Sequence, residues 1–163
     1  MSLRKSSGAL IVSNTSPLIV LKRAGATRVL TEIFQEIYIP PAVWAELKVR
    51  EEEFFKGMRQ LRIKEVGDRL LVEALTLTVD LGEAEAITLA LETEALLLID
   101  DLKGRRTARK MGVRVIGSLG VLALAKNRGL IDSVKPYVER LLAEGYYLNK
   151  KLIEEFLKAM GEA

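Results

Sequence analysis

Between residues 80 and 106 the chain reads DLGEAEAITLALETEALLLIDDLKGRR, a stretch that few folds can accommodate. From Glu83 onward Ala86, Ile87, Ala90 and Leu91 recur at helical spacing, which predicts a helix with one face laid on a core. After Glu92-Thr93-Glu94 the run 95–99 is apolar at every position. It is too short for a second helix and suits a strand covered on both sides. Asp100 and Asp101 follow at once. In an open parallel sheet ligands are met beyond the carboxyl ends of the strands, so a strand ending in Asp-Asp delivers charge to that place. Glu83, heading the helix, and Asp101 are therefore candidates for one pocket. A plainer reading stands beside this one. Asp80 and Glu83 have capping-box spacing, and Asp101 is placed to cap a helix over residues 102–111.

The 163 residues, 49% of them hydrophobic, are enough for one domain with a real core. That core is expected over about 9–157, with residues 1–8 outside it. The chain has neither His nor Cys, which excludes disulfides, thiolate nucleophiles, Ser-His-Asp triads and ordinary zinc sites. Any metal must be held by oxygen, which selects Mg²⁺ or Mn²⁺. A formal charge of +3 permits a polyanionic partner without requiring one. No apolar run reaches the roughly 20 residues that span a bilayer, and no signal-peptide pattern opens the chain, so the cytoplasm is the expected location.

Upstream, a strand over 9–13 runs into Asn14-Thr15-Ser16-Pro17. Ser16 is read as an N-cap and Pro17 as the first residue of a helix over 17–24, which leaves Asn14 at the end of the strand. A helix over 27–34 follows. A second strand, 37–39, ends at Pro40-Pro41, and a helix over 42–56 carries Glu46 one turn in, beside the apolar stripe Val43, Trp44 and Leu47. Residues 61–66 alternate like an edge strand, Gly67-Asp68 opens a helix to about 75, and a last strand covers 113–116. Helices over 118–127, 133–143 and 150–160 complete the chain. Strands alternating with helices predict a three-layer α/β/α sandwich around a mainly parallel sheet of four to five strands. Asn14, Glu46, Glu83 and Asp101 then converge on one rim. No Walker loop or G-x-G-x-x-G follows any strand, which disfavours nucleotide binding.

The segments Val-Ser-Asn-Thr-Ser-Pro-Leu-Ile (12–19), Ile-Pro-Pro-Ala-Val-Trp-Ala-Glu-Leu (39–47), Gly-Glu-Ala-Glu-Ala-Ile (82–87) and Leu-Ile-Asp-Asp (98–101) together resemble the PIN domain. This is the metal-dependent ribonuclease fold that includes VapC-like toxins, and the resemblance is nearest to a branch whose first motif is N-x-S-P-L-I. It implies a metal set of Asn14, Glu46, Glu83 and Asp101, with Asp100 beside the last. It also places Ser16 at the family's Ser or Thr near the first acid. The chain departs from the family at Asn14, where an amide replaces a charged ligand.

Implied with the resemblance is an Mg²⁺- or Mn²⁺-dependent endoribonuclease. Glu46, Glu83 and Asp101 would hold the metal, and Asp100 would assist as base or ligand. Lys103, Arg105, Arg106 and Arg109, together with Lys110, would form a phosphate path on RNA, against the plainer reading of a solvated helix face. An antitoxin partner and a homodimer are further implications; the apolar residues of helices 27–34 and 133–142 are candidates for the dimer face or for the core. The alternative is a PIN-like module that binds RNA or a protein without cleaving, and Asn14 motivates it.

Overall fold

The computed structural model describes residues 10–146 and 149–163, so Ala9 and the expected leader lie outside the described residues. Five strands, β1 (Leu10–Ser13), β2 (Glu36–Ile39), β3 (Leu61–Ile63), β4 (Leu96–Leu98) and β5 (Val115–Ile116), form one sheet in the order β3-β2-β1-β4-β5. Every pairing is parallel. The connecting helices are α1 (Thr15–Arg23), α2 (Thr27–Ile33), α3 (Pro41–Lys56), α4 (Arg69–Leu75), α5 (Leu81–Thr93) and α6 (Leu102–Lys110). After β5 come α7 (Ser118–Asn127), α8 (Lys135–Ala143) and α9 (Lys150–Ala159). The architecture is the α/β/α sandwich expected from the alternation of elements.

Parallel strands need cover on both faces, and Ile11, Val12, Ile37, Ile39, Leu97, Leu98 and Ile99 are all fully buried. From β1 the sheet grows through β2 to β3; the chain then returns to the other side of β1 for β4 and β5. The growth direction reverses between β1 and β4, the place where open α/β sheets bind ligands. Ser13 pairs with Leu98, and the Asn14 N–H donates to the Leu98 carbonyl at 2.9 Å, so both strands end level.

The centre of the sheet is covered by α5, which lies against β1 and β4 with α3 and α4 beside it. This helix is buried nearly all round, from Gly82 and then Ala84 through Ala90, rather than along one face, and Leu91 is partly exposed. Its many small side chains allow neighbours to close on it from several sides.

Some boundaries shift for local reasons. α1 begins at Thr15 with Asn14, not Ser16, at the N-cap. Pro17 fits the first turn because the N–H it lacks would have no intrahelical partner there. β3 stops at Ile63 rather than 66, because its neighbour β2 is followed by Pro40 and Pro41, which have no N–H to extend a ladder. β5 is also shorter than expected: the Val113 N–H is drawn back to the Ala108 carbonyl at 3.0 Å, closing α6. Helix α3 is bent at Glu51 (φ −148, ψ 50), a feature with no sequence signal. The apolar faces considered for a dimer are core instead. Val29, Leu30, Ile33, Val138 and Leu141 are buried, leaving Leu142 exposed.

Candidate functional site

At the carboxyl ends of β1 and β4 lies a cleft of about 740 Å³. Asn14, Ser16, Glu46, Glu83, Asp100 and Asp101, all nominated from sequence, line it together with Thr15, Arg50 and Asp80. Four separate chain segments meet here: the β1 end, the first turns of α3, the head of α5 and the β4 end.

Each side chain is set by its own local structure. Asn14 is almost fully buried and occupies the α1 N-cap, yet its side chain makes no cap bond, which leaves the amide to the cleft. The capping readings of Glu83 and Asp101 both hold. The Glu83 N–H donates to Asp80 at 2.8 Å while Glu83 Oε1 accepts from the Asp80 N–H at 3.2 Å. Asp101 Oδ2 accepts from the Gly104 N–H at 2.8 Å. These bonds orient the carboxylates without removing them from the cleft. Asp100 is more firmly engaged: one oxygen accepts from the Ser118 N–H at 2.7 Å and the other from the Ser118 hydroxyl at 2.6 Å, which pins the end of β4 to the start of α7.

Glu46 is met from two sides. The Thr15 hydroxyl donates to its Oε1. Gly82 faces it so closely that a Cβ there would stand 2.9 Å from Oε1. The helix that carries Glu46 is itself tied to α5 by the buried Glu85, which accepts from the Ala42 N–H at 2.9 Å and pairs with Arg69 of α4 at 2.9 Å. Sequence inspection missed Thr15, Glu85 and Arg50. Arg50 was detectable, since it stands four residues after Glu46 on the same helix. Glu85 is a carboxylate inside an otherwise apolar helical run, a pattern that calls for a buried partner.

The cleft carries five carboxylates against one guanidinium. Burial pushes the Glu83 carboxyl above its ordinary value, and the charges of Asp80, Asp101 and Glu46 push the same way against the bond from the Asp80 N–H. One guanidinium leaves most of that negative charge unbalanced within the cleft. All the donors are oxygens, which suits a hard divalent cation. Among the described residues no three acidic side chains are drawn together into a ready chelating group. The donor chemistry and charge fit such an ion, and closing around it requires side-chain rotation.

The basic residues of α6 are not brought into this cleft. Lys103, Arg106 and Arg109 are exposed outside it, as is Lys110. Arg105 donates to the Ile99 carbonyl at 3.0 Å and lines a neighbouring groove with Asp100.

A family model described as a PIN domain matches residues 10–162. The chain belongs to the PIN-domain family. Among solved structures, this PIN domain is similar to a PilT N-terminus domain protein from the hyperthermophilic archaeon Sulfolobus solfataricus P2. The two share 18% identity, the match covers 71% of this chain and 92% of the other, and the TM-score is 0.47. No curated protein matches the chain in sequence. PIN domains share a nuclease-type fold, and no helix among the described residues is long and apolar enough to cross a membrane.

Proposed function

We propose that this PIN domain is an Mg²⁺- or Mn²⁺-dependent endoribonuclease that hydrolyses RNA phosphodiester bonds at the acidic cleft. The observation that supports it most is the meeting of Asn14, Glu46, Glu83 and Asp101 in one cleft at the sheet's switch point, with Glu83 raised by burial and its acidic neighbours. Glu46, Glu83 and Asp101 would hold the cation, with the Asn14 carbonyl oxygen as a neutral donor. A bound divalent ion would supply Lewis acidity toward a phosphoryl oxygen and lower the pKa of water. Thr15 holds Glu46 toward the cleft, and Ser16, exposed at its edge, is available to order water or substrate. Asp100, whose oxygens accept from the Ser118 N–H and hydroxyl, braces the end of β4 beside Asp101, and its remaining lone pairs leave it available to assist as base or ligand. A toxin role with an antitoxin partner, a homodimer and a cytoplasmic location complete the proposal on family grounds.

The test is cleavage of an end-labelled single-stranded RNA in Mn²⁺, Mg²⁺ or EDTA, with Asp101→Asn purified in parallel. Cutting that requires the metal and disappears in the variant is the expected result. Cutting unchanged in the variant points to a contaminating nuclease and removes the site assignment. A second reading, a binding module without hydrolysis, is favoured by one observation: the residue closing β1 is the uncharged Asn14. If wild type is silent while Asn14→Asp binds Mn²⁺ more tightly and cleaves, that second reading replaces the first.

A further inference from the structure

We propose that Arg50 binds a phosphate of the RNA backbone at the lip of the acidic cleft, an inference that rests on the ribonuclease reading above. A polyanion approaching five carboxylates is repelled unless a cation meets it at the entrance. Arg50 is the one basic residue of the described chain that lines the cleft. It is exposed and lies one helical turn beyond Glu46.

What singles it out is the absence of an acidic partner in an acidic neighbourhood. Glu46, its i,i+4 neighbour, accepts from the Thr15 hydroxyl at Oε1 and makes no ion pair with Arg50. The next residue, Glu51, is carried away by the bend in α3 and bonds to α1 instead, to Arg23 at 2.8 Å and to Lys22 at 3.1 Å. The Lys22 hydrogen bond is the largest influence on the Glu51 carboxyl and holds it below its ordinary value, so that carboxylate stays charged and turned toward α1. Among the described residues Arg50 forms no ion pair. Its planar fork of donors matches two phosphate oxygens at once.

The experiment measures binding of a fluorescein-labelled single-stranded RNA to the full chain carrying Asp101→Asn, which blocks cleavage, across a salt series with Mn²⁺ present. Adding Arg50→Ala should weaken binding about tenfold and lower the slope of log K against log salt by about 0.7, the loss of one single-strand phosphate contact. Arg50→Lys should restore the slope but not the whole affinity. With Asp101 intact, Mn²⁺ affinity by calorimetry should be the same for wild type and Arg50→Ala. Unchanged RNA affinity and slope overturn the proposal and leave the ribonuclease reading standing. A parallel fall in Mn²⁺ affinity also overturns it, since Arg50 would then act on the carboxylates. If the Asp101→Asn chain binds no RNA and wild type cleaves none, the ribonuclease reading fails and takes this proposal with it.

Discussion

The Thr15 hydroxyl donates to Glu46 Oε1, so the residue next to Asn14 also sets the carboxylate on α3. Thr15→Val keeps the shape and removes the donor. We expect a several-fold loss of Mn²⁺ affinity by calorimetry and about 1 kcal/mol of stability, the usual worth of such a bond. Thr15→Ser should behave like wild type in both measurements.

Gly82→Ala separates site geometry from stability. The added Cβ would lie 2.9 Å from Glu46 Oε1, the far end of a flexible side chain that can move aside. Replacing Gly by Ala in a helix favours folding by up to about 1 kcal/mol. The expected outcome is an unchanged or higher urea midpoint together with weakened metal binding and cleavage.

Glu85 has the opposite profile. Glu85→Ala leaves the Ala42 N–H without its acceptor and Arg69 without its partner, a loss of about 2 kcal/mol. Glu85→Gln retains a carbonyl acceptor and should lose roughly half of that. Chemical denaturation of the three chains decides it, and equal midpoints for wild type and Glu85→Ala would rule out the brace.

The raised Glu83 carboxyl makes stability depend on pH in a definite direction. A folded-state value above the unfolded one means the folded chain holds this proton longer. Its stabilising contribution is complete below the ordinary glutamate value and is lost as pH rises toward the folded one. Glu83→Gln should therefore flatten this part of the curve and raise the melting temperature at pH 7 relative to wild type. Mn²⁺ should stabilise wild type at pH 7 more than it stabilises the variant.

Most of the architecture is legible from local patterns. The apolar run ending at Ile99 and the Pro40-Pro41 and Gly112 stops each act within a few residues, and β4, α3 and the end of α6 lie close to where they are expected. The bend at Glu51 was not legible, because the partners its carboxylate meets there, Lys22 and Arg23, belong to a different helix. The four rim residues could be found because chain order places strand ends and helix heads together. The support from Thr15, Glu85 and Gly82 depends on distances across elements. The α6 cations lie outside the cleft for a similar reason: proximity in sequence to Asp101 does not carry a helix's solvent face into it, whereas Arg50 arrives there on another helix.

Glu83 and Asp101 each close a helix end with the same carboxylate that faces the cleft. Losing such a cap costs about 1 kcal/mol whether or not any chemistry takes place. Both side chains are thus tied to folding as well as to any chemistry, yet Glu83→Gln or Asp101→Asn would keep the same backbone bonds without the charge, whereas Asn14 makes no cap bond at all. The caps ask only for an oxygen acceptor, so it is the charge at these two positions, rather than the presence of a capping side chain, that bears on metal chemistry.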